Sequence, residues 1–173
     1  TNKPVLVVMA AGMGGRYGGI KQVVAVGPNG ETLIEYSLFD AKRAGFKRVI
    51  FVISEAMEAE FPGHIREKIG HAMQVDFAVQ RLSDIPQGYA VPEGRTKPWG
   101  TGHAILACRH ILSAPFVVVN ADDYYGPCGF TSIFTFLSEK PENSTRAYAM
   151  VGFELMKTLS KHGYVSPDIS QKE

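Results

Sequence analysis

Apolar residues in this chain come in unbroken runs rather than in strict alternation. "PVLVVMA", "RVIFVIS", "VDFAVQ", "PFVVVNA" and "AYAMVGF" each finish at turn-forming or polar residues. Strands covered on both faces, as in a parallel sheet, have this pattern. Helical patterns lie between them. "TLIEYSLFDAKRAG" carries Leu33, Tyr36, Leu38 and Phe39 at helical spacing, opens at Thr32 and stops on Gly45. "TGHAILACRHIL" sets Ala104, Ile105, Ala107, Cys108 and Ile111 on one face, and "FTSIFTFLSEK" predicts a shorter helix. "EAMEAEFPGHIREKIG" is helical with a break expected near Pro62-Gly63. Strand–helix alternation predicts an α/β domain with a mainly parallel central sheet. No internal repeat or low-complexity segment interrupts it. The one long irregular stretch, Leu82 to Gly100, is rich in Pro and Gly and is expected to be a mobile lid.

Composition narrows the class. At 173 residues the chain suits one domain with a substantial core. A net charge of +1 offers no basis for binding nucleic acid or an anionic membrane. Cys108 and Cys128 make no disulfide or metal framework and read as small buried hydrophobes in a reducing compartment. The run from Val5 to Ala11 is at the short limit for a signal peptide, has a single lysine ahead of it, and reads as a strand. Nothing approaches the roughly 18 apolar residues of a membrane span. These features predict a soluble, cytoplasmic protein.

The first strand leads into "MAAGMGGRYGGIK", which packs five glycines around Arg16 and ends on Lys21. Ligands of open α/β sheets bind beyond the carboxyl ends of the strands, which is where this stretch lies. It is not a P-loop, because Lys21 follows Ile20 and precedes Gln22. It is not a dinucleotide fingerprint either, because Tyr17 stands where the third glycine belongs. Glycines let backbone N–H groups face a phosphate chain, and Arg16 and Lys21 would neutralise its charge. A flexible turn with two solvated cations fits the same spacing.

A wider stretch carries a resemblance that bears on the choice. "VMAAGMGGRYGGIKQVVAVGPNGETLIEYSLFDAKRAGFKRVIFVI" resembles the start of the sugar-1-phosphate nucleotidylyltransferases, the sugar-nucleotide pyrophosphorylases. Their signature is an apolar strand followed by A-G-G-x-G-x-R-x-x-P-x-x-x-P-K. The strand, the glycines, Arg16 and Lys21 match, and "PNGETLIEYSL" is similar to the family's K-P-L-I-E-Y-x-L. Ala11 replaces the first glycine of the pair and Gly19-Ile20 stand where proline precedes the lysine, which marks a divergent member. "KPWGTGHAILAC" resembles the P-x-G-T/L-A-x-A segment that contacts the base, through Pro98, Gly100, Thr101 and Ala104. Taken alone, Gly-Thr before a helix is also an ordinary helix cap. "VVVNADDYYG" resembles L-G-D-N-x-x-Y-G, with Asp122 on the metal-binding aspartate and Asp123 where asparagine is common. A turn with two solvated aspartates is the plainer reading of that stretch. His103 reads either as a general base or, more commonly for a first-turn histidine, as a structural or solvated ring.

The resemblance implies a three-layer α/β/α Rossmann-like fold of the nucleotide-diphospho-sugar transferase (GT-A-like) type. It implies transfer of a nucleotidyl group from an NTP to a sugar 1-phosphate, with release of pyrophosphate and dependence on Mg²⁺. Arg16, Lys21 and Asp122 are the implied catalytic residues. Ala11, Gly12, Gly14, Gly15, Arg16, Gln80, Gly100 and Thr101 are the implied nucleotide contacts, and Gly163, in "HGYV", lies on the sugar side. Asp122 is the implied Mg²⁺ ligand, with Asp123 a further candidate. Family members are longer, so residues 1–173 are expected to be a single nucleotidyltransferase domain lacking its C-terminal portion, with the second metal-binding aspartate beyond it. Two alternatives stay open: a non-sugar acceptor such as a molybdopterin or polyol phosphate, and a non-catalytic nucleotide-binding paralogue. The base, the acceptor and the oligomeric state are not legible.

Overall fold

The computed structural model describes residues 3–11, 25–139, 147–154 and 158. Four strands form one parallel sheet: β1 (Val5–Met9), β2 (Arg48–Ser54), β3 (Gln74–Gln80) and β4 (Phe116–Asn120), in the spatial order β3-β2-β1-β4. Four α-helices connect them: α1 (Leu33–Ala44), α2 (Phe61–Ile69), α3 (Thr101–Ala107) and α4 (Gly126–Ser138). Because alternate side chains point to opposite faces, each apolar run feeds two cores at once. Leu6, Val8, Val49, Phe51 and Ile53 face α1, α2 and α4, where Ile34, Leu38, Phe61 and Phe130 meet them. Val5, Val7, Ile50 and Val52 face α3, where Ala104 and Cys108 cover them. Both layers are thus present, giving the expected three-layer α/β/α arrangement.

Local signals set most boundaries. Thr32 caps α1: its Oγ1 accepts from the Glu35 N–H at 3.3 Å, while Glu35 Oε2 accepts from the Thr32 N–H at 2.7 Å. Lys68 on α2 donates to the same carboxylate at 3.1 Å, tying two helices on one face of the sheet. Gly45 ends α1 at φ 120°, a conformation that L side chains rarely adopt.

Five expectations need correction. Cys128 is exposed and not a buried hydrophobe, and the helix predicted as shorter, α4, has 13 residues against 12 in α1 because it starts upstream at Gly126. Pro62 does not break a helix but starts one: α2 begins at Phe61, and the preceding Glu55–Met57 is a separate 3₁₀ turn. Proline is tolerated in a helix's first turn because its missing N–H would have no intrahelical partner there. α3 ends at Ala107, earlier than its apolar pattern suggested, and continues as turns. "AYAMVGF" is not a strand, since residues 147–154 carry no regular structure. A strand needs a hydrogen-bonded neighbour, and none of the four strands pairs with this segment among the described residues. Val151 and Phe153 instead lie against Gly129 of α4, while Tyr148 and Met150 are exposed. No helix among the described residues is long and apolar enough to cross a membrane.

Candidate functional site

The four strands deliver their carboxyl ends to one edge of the sheet. Met9 and Asn120 are partners in register, and the Ala121 N–H donates to the Met9 carbonyl at 3.2 Å. The Ala10 N–H donates to the Val52 carbonyl at 2.8 Å, so the chain runs on in sheet-like contact for one residue past each strand. Ala10, Ala11 and Ala121 are all buried, and their small side chains let both turns leave the edge close together. Ala11 therefore stands beside the segment that carries Asp122. The implied phosphate contacts Gly12, Gly14, Gly15, Arg16 and Lys21 follow directly from Ala11 but lie outside the described residues, as does Gly163.

Two adjacent carboxylates look equivalent in the sequence, and the geometry separates them. Asn120 Nδ2 donates to Asp123 Oδ2 at 2.8 Å, and Tyr125 Oη donates to the same oxygen at 3.4 Å. The Asn120 N–H in turn donates to Tyr125 Oη at 3.1 Å. Asp123 is thereby folded back on the end of its own strand. Asp122 is exposed and hydrogen-bonds to no described residue. Burial, and then the neighbouring charges of Asp123 and Asp122, raise the Tyr125 phenol above its ordinary value and keep it a donor.

The next residue anchors this turn. Tyr124 Oη donates at 2.8 Å to Oδ2 of Asp40, a carboxylate buried on α1. The Tyr124 ring meets Tyr36 edge to face at 6.5 Å between centroids. Sequence reasoning did not find Asp40, Asn120, Tyr124 or Tyr125. The only available signal was the polar and aromatic run "NADDYYG" itself.

Among the described residues no group of three or more His, Cys, Asp or Glu could hold a metal ion. The donor set here is one free carboxylate with a second, engaged one beside it. Mg²⁺ takes oxygen ligands and usually uses one or two carboxylates plus substrate phosphates, so the chemistry of these two carboxylates is compatible with Mg²⁺.

Gln80, at the end of β3, lies at the same edge but three strand spacings from β4, about 14 Å across. It is buried, and its amide nitrogen donates to the Trp99 carbonyl at 3.0 Å and reaches His103 Nδ1 at 3.1 Å. His103 Nε2 lies 2.6 Å from the Asp84 carbonyl. That contact requires a proton on Nε2, so in the neutral ring Nδ1 accepts from Gln80. His103 is thus a structural link between β3 and the loop after it, and its two nitrogens are not free for proton transfer. Gly100 precedes α3 as its N-cap, and Thr101 is exposed in its first turn.

The long loop is less free than its composition suggested. Asp84 takes a two-pronged contact from Arg109 at 2.8 and 2.6 Å, which holds its carboxyl below the usual carboxylate range. Trp99 Nε1 donates to the Leu82 carbonyl at 3.0 Å, closing the base of the loop. The Arg95 guanidinium lies 3.8 Å from the centroid of the Trp99 ring, while its Nε is enclosed without a hydrogen-bond partner. Stacking on the indole face offsets part of that desolvation. The loop's longest continuously exposed run is the arch from residue 86 to 94. Elsewhere, a hollow of about 260 Å³ lined by Lys3, Lys47, Arg48 and Ser113 sits at the opposite, amino edge of the sheet, and none of the candidate site residues lines it.

The model of the nucleotidyl transferase family matches residues 5–173. The chain belongs to the nucleotidyl transferase family. Two solved structures agree on the fold. The inositol-1-phosphate CTP transferase of T. maritima superposes with a TM-score of 0.56 at 16% identity, over 82% of this chain and 51% of that one. A UDP-glucose pyrophosphorylase solved with UDP-glucose gives 0.53 at 18% identity, over 79% of this chain and 53% of that one. HddC from Yersinia pseudotuberculosis, solved with GMP-PN, is 25% identical over 70% of this chain and 48% of its own, with a TM-score of 0.48. Among curated proteins none matches. This nucleotidyl transferase chain spans about half the length of the solved structures it resembles.

Proposed function

We propose that the chain forms the nucleotide-binding part of an enzyme that transfers a nucleotidyl group from an NTP to a sugar 1-phosphate. The observation that carries this reading is the free carboxylate of Asp122 at the end of β4. It stands beside the β1 end that opens into the glycine-rich loop, with Gln80 at the far end of the same edge. Phosphates would lie over β1 and β4, and the base over β3 near Gln80, Gly100 and Thr101.

In the reaction, an oxygen of the sugar phosphate attacks the α-phosphorus of the NTP. The new phosphoanhydride bond forms as the α–β bond breaks, and pyrophosphate leaves on the opposite side. No protein nucleophile is needed, so the chain's part is positioning and charge neutralisation. Arg16 and the amides of Gly12, Gly14 and Gly15 would hold the β- and γ-phosphates. Lys21 would face the α-phosphate and the incoming phosphate. Asp122 would hold Mg²⁺, which when bound supplies positive charge to the phosphate oxygens. Asp123, already engaged by Asn120 and Tyr125, would shape the turn that presents Asp122.

The test is a pyrophosphate-release screen of the four NTPs against a panel of sugar 1-phosphates, run on this chain and on a longer counterpart. Polyol phosphates belong in the panel, since one fold neighbour is named for inositol 1-phosphate. The reading expects one NTP and one sugar 1-phosphate to stand out with the longer protein, and nucleotide binding with weak turnover by this chain. Release with a polyol phosphate alone would move the acceptor class. Absence of any NTP binding would overturn the reading.

A further inference from the structure

Every neighbour of the Gln80 amide nitrogen is an acceptor. The carbonyls of Trp99 and Gly100 lie at 3.0 and 3.5 Å, and His103 Nδ1 lies at 3.1 Å. The last of these is an acceptor only because the Asp84 carbonyl, 2.6 Å from Nε2, claims the ring's one proton. That carbonyl is itself held in place, since the Asp84 carboxylate is clasped by Arg109 and the Trp99 indole closes the loop onto Leu82. Turning the Gln80 amide over would set its oxygen against two carbonyls and a ring lone pair. The two shortest hydrogen bonds would be lost, at about tenfold each in population. The Gln80 carbonyl oxygen, by contrast, has no hydrogen-bond partner among the described residues.

We propose that His103 is a positioning residue that sets the base selectivity of the nucleotide pocket, by locking Gln80 so that only its carbonyl oxygen is offered to the base. The inference rests on the reading of Gln80 as a base contact. A free glutamine amide reads donors and acceptors alike, because it can turn over. A locked one accepts only, so it rewards a base that presents an N–H at that point and repels one that presents a lone pair. The selectivity of the site then originates in a ring that never touches the nucleotide.

The test measures dissociation constants of the four NTPs, and of inorganic tripolyphosphate, for the unaltered chain, His103→Phe and His103→Asn. His103→Phe keeps a ring but removes the acceptor. In His103→Asn the side-chain oxygen takes the place of Nδ1. The ratio between the best- and worst-bound NTP should shrink about tenfold in His103→Phe and return in His103→Asn, with tripolyphosphate binding unchanged in all three. A second measurement needs no variant: an analogue of the preferred NTP with its Watson–Crick-edge N–H methylated should bind the unaltered chain at least about tenfold more weakly. If His103→Phe fails to fold, this comparison decides. Unchanged NTP ratios in a folded His103→Phe, or equal binding of the methylated analogue, overturn the role of His103 and leave nucleotide binding standing. Failure of the unaltered chain to bind any NTP or tripolyphosphate overturns the functional reading itself.

Discussion

Replacing Tyr124 with phenylalanine removes one oxygen atom and strands a buried carboxylate. Asp40 is 6% exposed, and its side chain accepts from Tyr124 Oη at 2.8 Å. No other described residue donates to it. The phenylalanine ring keeps its edge contact with Tyr36, so packing changes little. What is lost is a hydrogen bond to a charged acceptor, about 1.5–3 kcal/mol. For a domain of this size each kcal/mol moves Tm by about 2–4 °C, so Tyr124→Phe should melt about 3–12 °C lower. In an Asp40→Ala background the same change should cost less than about 0.5 kcal/mol, leaving a coupling energy above about 1 kcal/mol. The assay is urea unfolding of the four proteins of the cycle, repeated at alkaline pH. The hydrogen bond to Asp40, followed by burial, raises the Tyr124 phenol above its ordinary value of 10.0. An acid with a raised folded pKa gives its full stabilisation below the unfolded value and loses it as pH rises through the folded one. The unaltered chain should therefore lose stability above pH 10 more steeply than Tyr124→Phe. A Tyr124→Phe protein within 0.5 kcal/mol of the parent, with no coupling to Asp40, would refute the reasoning.

Asp122→Ala should weaken binding of an NTP with Mg²⁺ by about tenfold or more while leaving NTP binding in EDTA little changed, and equal losses by calorimetry in both conditions would remove the metal role. Burial raises the Cys108 thiol to about 11, so a thiol reagent at pH 8 should label one site, Cys128, in the native chain and a second only on unfolding. Immediate labelling of both would contradict the burial of Cys108. Hydrogen exchange should be fast across residues 86–94 in the free chain, slow at the Gln80 and His103 anchors, and slower in the arch once an NTP is bound. An arch as protected as β2 before any nucleotide is added would make it a fixed loop.

Much of this fold is decided over a few residues, and that part is legible in the chain. The runs ending at Met9, Ser54, Gln80 and Asn120 are strands because each residue type suits a surface covered on both sides, whatever covers it. Thr32 and Gly45 bound α1 because capping is a contest among neighbouring backbone groups. Where an outcome depends on what lies across the fold, the pattern misleads. "AYAMVGF" has the composition of a strand and lacks the partner that would make it one. The carboxyl edge follows the same division. That Gln80 and Asp122 share an edge follows from parallel topology, since parallel strands all end on the same side. That Asp122 is free while Asp123 is engaged depends on where the side chains of Asn120 and Tyr125 come to rest. That His103 holds Gln80, and Asp40 holds Tyr124, depends on contacts spanning 23 and 84 residues. A hydrogen bond needs both atoms within about 3 Å and correctly aimed. Local sequence fixes the chemistry at each end of such a pair, and only the folded chain brings the two ends together.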